Sequence, residues 1–164
     1  MTSRRTAILG LAAISATALA WRACCSAEPA KPGETFEIVK TPAEWRKILT
    51  TEQYYVLRDH GTERPFTSLL NDEKRAGTFH CAACELPLFS SKTKFDSRTG
   101  WPSFWQPLEN AVGTSEDRSL WLMVRTEVHC RRCGSHLGHV FEDGPPPTHL
   151  RYCINGVAMN FKPE

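Results

Sequence analysis

The chain has 164 residues, enough for one ordinary domain with a modest core. Its formal net charge is +2, but residues 1–27 hold three arginines (Arg4, Arg5 and Arg22) and no acid. The remainder has 17 basic against 18 acidic residues, a formal −1. That balance argues against the basic footprint of a nucleic-acid-binding module.

Residues 2 to 5 read Thr-Ser-Arg-Arg, and an uncharged stretch rich in Ala, Leu and Ile follows from Ala7 to Trp21. The next segment ends Cys25-Ser26-Ala27, and Glu28-Pro29 opens a polar stretch. A basic start, an apolar middle and a small-residue exit are the parts of a cleavable secretory signal over residues 1–27. The apolar run falls short of the roughly 20 residues of a membrane-spanning helix, so an anchor is the weaker reading. No stable membrane insertion is expected once the signal is removed. The Arg4-Arg5 pair points to the twin-arginine route, which carries proteins already folded and metal-loaded. An exported, periplasmic protein follows from this reading. A cut after Ala27 removes Cys24 and Cys25, whereas a cut after Ala20 would keep both; the polarity change at Glu28 favours the first.

Residues 28–40 read as a linker, and residues 41–164 as the domain. Thr41-Pro42-Ala43-Glu44 is a helix start, with a capping Thr, Pro at the first helical position and Glu closing a capping box. Trp45, Ile48 and Leu49 supply an apolar stripe. Thr50 to Arg58 reads as a second short helix carrying Tyr54 and Leu57 toward the core. After Gly61 short apolar runs alternate with Gly, Pro, Asn and Asp. Strands are expected at Thr78–His80, Leu86–Phe89, Ser119–Val128, His139–Glu142, Arg151–Ile154 and Ala158–Phe161. The fold class is therefore mainly β and antiparallel, with short N-terminal helices.

The strongest local signal is Cys81-Ala82-Ala83-Cys84 together with Cys130-Arg131-Arg132-Cys133. Each C-x₂-C pair can turn two thiolates toward one ion, and two pairs complete a tetrahedral S₄ site that suits Zn²⁺. Two disulfides, a pair of redox-active motifs, or rubredoxin-like iron are the competing readings. Two matched pairs in one small domain favour metal, and nothing suggests an open coordination position, so the zinc is expected to be structural. Arg131 and Arg132 are placed to offset part of its negative charge.

Cys153 is the one domain cysteine without a structural task. In a strand, Arg151 and Asn155 would share its face. A guanidinium there raises the thiolate fraction. His136 and His139 follow the second cysteine pair, and imidazole is the usual proton donor near neutral pH. Thiol chemistry with an acid catalyst follows from these residues; acyl transfer fits them as well as redox chemistry. A zinc-ribbon binding module without catalysis and a thiol–disulfide oxidoreductase are the other functions these residues allow.

From Gly61 to Pro163 the chain resembles the B-type methionine sulfoxide reductases. The matching stretches are Gly61–Phe66, both C-x₂-C motifs, Thr93–Ser97, Gly100–Phe104, Gly134–Phe141 and Arg151–Phe161; the helices from Thr41 to Arg58 match too. The resemblance implies two packed antiparallel sheets with a Zn(Cys)₄ site far from the catalytic one. It implies reduction of methionine (R)-sulfoxide, mostly within oxidised proteins. Cys153 would be the nucleophile, Trp101 the wall for the substrate methyl group, His136, His139 and Asn155 the groups that handle the oxygen, and Arg151 the partner of the thiolate. Attack on sulfur with proton transfer to oxygen leaves methionine and a sulfenic acid on Cys153. Three positions depart from the family pattern. Thr99 stands where many members have a resolving cysteine, which implies a thioredoxin-like or other external thiol as reductant. Gly156 replaces a frequent Ser and His149 a frequent Gly. A monomer is expected.

Overall fold

A computed structural model describes residues 35–120 and 123–164. The expected signal, with Cys24 and Cys25, the first part of the expected linker, and Trp121 and Leu122 lie outside the described residues.

Among the described residues two short helices come first, α1 (Pro42–Ile48) and α2 (Thr51–Leu57). Both begin in a reciprocal capping box, Thr41 with Glu44 and Thr50 with Gln53, which satisfies N–H groups that helices this short would leave bare. Trp45 and Leu49 are buried, but Ile48 is exposed. The helix stops at Ile48 and Leu49 is already extended (φ −102°, ψ 144°), so Leu49 turns inward in its place.

Nine strands follow: β1 (Gly77–Cys81), β2 (Pro87–Ser90), β3 (Lys94–Phe95), β4 (Ser103–Phe104), β5 (Val112–Leu120), β6 (Met123–Cys130), β7 (His136–Phe141), β8 (Arg151–Ile154) and β9 (Met159–Pro163). They form a three-stranded sheet, β2-β1-β9, and a six-stranded sheet, β3-β4-β8-β7-β6-β5. Every pairing is antiparallel. The sheets meet through aromatic rings: Phe104 of β4 stacks on Phe89 of β2 at 4.4 Å and meets Phe79 of β1 edge-on at 5.0 Å. The mainly β fold with two antiparallel sheets is thus as expected from the sequence.

One expected strand is not a single strand. Ser119–Val128 is divided between two antiparallel strands, with β5 ending at Leu120 and β6 starting at Met123. The alternation that suggested one continuous strand is shared between two antiparallel partners, paired as Asp117 with Arg125 and Leu120 with Met123.

The described part of the expected linker, residues 35–40, lies against the second cysteine turn. Ile38 N donates to Arg132 O at 3.0 Å, Phe36 meets the His129 ring edge-on, and Glu37 pairs with Arg131 and Arg132. None of the helices among the described residues is long and apolar enough to cross a membrane.

Candidate active site

A β-bulge sets the geometry of the candidate site. Glu127 pairs with His139 and Val128 with Gly138, but His129 pairs with His136, so Leu137 is an extra residue in β7. Two histidines three apart on a regular strand would face opposite ways. The bulge brings both onto the Glu127 face, with their rings 5.3 Å apart. Gly138 makes this possible, because a Cβ there would lie 2.1 Å from the Cys153 carbonyl oxygen.

Cys153 lies mid-sheet between two partners, Ser103 of β4 and His139 of β7. Directly opposed residues have Cβ atoms about 4.5–5.5 Å apart, so imidazole and thiol are neighbours. Both line a small cavity of about 110 Å³ with Trp101, Asn155, Gly138, Phe141, Thr62 and Arg125.

The imidazoles are held by carboxylates. His139 Nε2 lies 2.7 Å from Asp117 Oδ2, and Arg125 Nη2 donates to the same oxygen at 2.6 Å. Burial would raise the Asp117 pKa, but hydrogen bonds from Ser119, His139 and Arg125 hold it well below the carboxylate range. Asp117 is therefore ionised and Nε2 must donate to it, which leaves Nδ1 as the proton acceptor of a neutral ring. Burial is the main reason that His139 itself is held below its ordinary value, Asp117 notwithstanding. His136 Nδ1 lies 2.8 Å from Glu127 Oε1, and its Nε2 is buried with no hydrogen-bond partner among the described residues.

Burial also pushes the Cys153 thiol above its ordinary pKa, against the opposing effects of the Thr99 hydroxyl, the Arg151 charge and Ser103. Arg151 is spent mainly on a bidentate pair with Asp143, 2.8 Å for each bond, and stacks over Phe141 at 4.4 Å. Sequence reasoning expected Arg151 to raise the thiolate fraction; its charge does act in that direction, but desolvation outweighs it. Thr99 Oγ1 lies 3.9 Å from Cys153 Sγ and 2.8 Å from Ser97 Oγ, which in turn lies 2.7 Å from Ser103 Oγ.

Glu63 ties the cavity together. Its carboxylate accepts from Gly156 N (2.6 Å) and Val157 N (3.0 Å), its backbone N–H donates to Asn155 Oδ1 (3.0 Å), and its carbonyl accepts from Trp101 Nε1 (3.1 Å). Asn155 Nδ2 donates to Leu137 O at 2.9 Å, so both ends of this amide hold backbone. At Gly156 a Cβ would meet Ser68 Oγ at 1.8 Å, so the absent side chain is what admits Ser68 here.

Cys153, His139, Trp101 and Asn155 are thus brought to one cavity, with His136 beside His139 and Arg151 at the margin. Asp117, Glu127 and Arg125 had no functional signal in the sequence, and Thr62 lay within the Gly61–Phe66 motif without an assigned task. Glu63 lay within a motif but carried no assigned task.

The four remaining described cysteines form a separate cluster. Cys81 Sγ and Cys133 Sγ are 3.8 Å apart, and Cys84 Sγ and Cys130 Sγ 3.5 Å. All four sulfurs lie within 4.8 Å of one another, and all four cysteines are free. Disulfide sulfurs would be about 2.05 Å apart. Four sulfurs at about 2.3 Å from a shared ion stand roughly 3.8 Å apart, so the cluster fits a tetrahedral metal. A redox reading of two independent pairs does not explain why they converge. Arg132 donates to the Cys84 carbonyl and so joins the two turns, while Arg58, at the end of α2, donates to the Cys133 carbonyl and ties the helix to the second turn. Arg125 and Cys130 lie five residues apart on β6, which puts cavity and cluster about 17 Å apart along the strand.

Fold and site define a thiol enzyme on an antiparallel β scaffold with a tetrathiolate cluster. A model of the SelR domain matches residues 49–163. The peptide methionine sulfoxide reductase MsrB of Pseudomonas putida strain W619 is 59% identical over 128 residues, covering 78% of this chain and 96% of that protein. Those of Agrobacterium fabrum (54% over 127 residues, 77% and 94%) and Methanosarcina barkeri (58% over 128 residues, 77% and 89%) are similar. The chain belongs to the MsrB family of peptide methionine sulfoxide reductases and is an oxidoreductase acting on sulfur.

Proposed function

We propose that the chain reduces the R epimer of methionine sulfoxide in oxidised proteins and is regenerated by an external thiol. The observation that carries this is the pairing of Cys153 with a neutral, Asp117-held His139 across a cavity walled by Trp101.

Thiol and imidazole both rest neutral, since burial raises one pKa and lowers the other. As substrate displaces water, the Cys153 proton passes to His139 Nδ1, and Asp117 stabilises the imidazolium that forms. The thiolate, supported by Arg151 and Thr99, attacks the sulfoxide sulfur. The imidazolium returns its proton to the departing oxygen, which ends on Cys153 as a sulfenic acid while methionine leaves. The indole of Trp101, fixed through Nε1, seats the S-methyl group; sulfur–aromatic contact contributes about 0.3–1.5 kcal/mol. Asn155 positions the segment carrying Glu63 and Thr62. His136 stands behind His139 as the second imidazole of the oxygen site.

Thr99 offers a hydroxyl and cannot form a disulfide, so a thioredoxin-like or other external thiol clears the sulfenic acid. The ion of the tetrathiolate cluster is zinc, and it supplies structural cross-linking only. The protein is exported as a monomer by the twin-arginine route and cut after Ala27. Mass spectrometry of the exported protein should find a chain beginning at Glu28; a chain beginning at Trp21 that forms a Cys24–Cys153 or Cys25–Cys153 disulfide on turnover would replace the external thiol with an internal one. An assay with separated epimers tests the reaction. Turnover of the R form alone, lost in Cys153→Ser, is the expected result; equal turnover of both epimers, or activity in Cys153→Ser, refutes it.

A further inference from the structure

His60, Glu127 and His136 converge from three elements: the turn after α2, β6 and β7. His60 Nδ1 lies 2.9 Å and His136 Nδ1 2.8 Å from one oxygen, Glu127 Oε1, and the three ligand atoms lie within 4.8 Å of one another. Ser115 Oγ donates to Oε2 at 2.7 Å and so orients Oε1 toward the imidazoles. The β7 bulge is what puts His136 on this face. The base of the cluster is closed and its mouth is open: the side chains of Glu127 and His136 are 7% and 3% exposed, that of His60 62%. His60 sits at φ 54°, in the left-handed region that suits few side chains, and this turns its ring over the carboxylate.

We propose that these residues form a second metal site, distinct from the tetrathiolate cluster, that takes a borderline divalent ion of the zinc class. Two imidazole nitrogens and one carboxylate oxygen are donors for first-row transition ions rather than for calcium or magnesium. Donors about 2.0–2.2 Å from a shared ion stand roughly 2.9–3.4 Å apart, so the observed N···O separations need to open by only a few tenths of an ångström. The exposed side leaves coordination positions to solvent. Loading is balanced without a redox step: each Nδ1 gives up the proton it donates to Glu127, each ring takes one proton from solvent on Nε2 in its place, and the ion takes both freed Nδ1 lone pairs and Oε1.

The full chain, its cysteine cluster already loaded with zinc, is titrated with Co²⁺ alone and followed by calorimetry and visible absorption. One further ion per chain is expected, with the weak ligand-field bands of nitrogen and oxygen donors. Affinity should fall at least tenfold in His60→Asn, a substitution that tolerates the positive φ and touches no reacting group. Failure to bind a further ion, a thiolate charge-transfer band, or unchanged affinity in His60→Asn overturns the site. Binding is read without turnover, so the site is judged independently of the proposed reaction.

Discussion

At the scale of single residues, the site is poised by burial and opposed by a few fixed charges. Cys153 carries a thiol raised by desolvation, so it is mostly protonated at neutral pH until a proton acceptor takes part. Its alkylation rate should rise with a midpoint above about 8.5, the ordinary thiol value. Thr99→Val removes a hydroxyl that favours the thiolate and should move that midpoint further up; a midpoint unchanged by Thr99→Val would show that the 3.9 Å contact carries no charge stabilisation. Asp117 is a positioning residue that acts through His139. His139→Ala should reduce kcat by roughly 10²-fold. Asp117→Asn should reduce it by about tenfold with little change in KM. Asp117 raises the His139 pKa against burial, so its neutralisation lowers that pKa. The acidic limb of the pH–rate profile should therefore move to lower pH in Asp117→Asn; a purely structural role would leave the limb in place.

At the scale of elements, one bulge does most to place the chemistry. Leu137 is the extra residue of β7, and it turns His136 to the same face as His139 and Glu127. The strand can lie this close to β8 because Gly138 has no Cβ. Gly138→Ala should force the strands apart, lowering stability by about 1–3 kcal/mol and abolishing most activity. Thermal melts and turnover on one sample check this, and a variant with wild-type melting and activity would refute the packing argument. The β5–β6 hairpin contributes from its far side, since Asp117 on β5 and Arg125 on β6 are cross-strand partners whose side chains meet at His139.

At the scale of the whole molecule, two cysteine turns far apart in sequence are joined at one point. Cys81 and Cys84 flank the end of the three-stranded sheet, and Cys130 and Cys133 the connection from β6 to β7 in the larger one. An ion held there would cross-link the two sheets, and metal binding in such sites is folding energy. Cys84→Ser, or removal of the ion by a chelator, should lower the melting temperature by several degrees or more before it alters kcat of the folded fraction. Full thermal stability in a metal-free Cys84→Ser variant would show that the cluster has no structural part. The ordered residues 35–40 add a second clasp on the same turn, through Ile38 and Glu37.

Local patterns in the sequence carried much of this protein. Capping boxes depend on residues three apart, C-x₂-C turns on residues within one turn, and short strands on their alternation, so α1, α2, the two cysteine pairs and most strands were legible without any long-range contact. Cys153, Trp101 and the two histidines were legible because their motifs are specific. What the sequence concealed was decided by pairing between strands. The run Ser119–Val128 looks like one strand until β5 and β6 are paired. The facing of His136 depends on a bulge that no local pattern announces, and Asp117 and Glu127 become partners of imidazoles only when β5, β6 and β7 lie side by side. The net direction of the Cys153 pKa was likewise a tertiary outcome. Arg151 is two residues away in sequence, but the desolvation that outweighs its charge comes from elements the chain brings together only on folding.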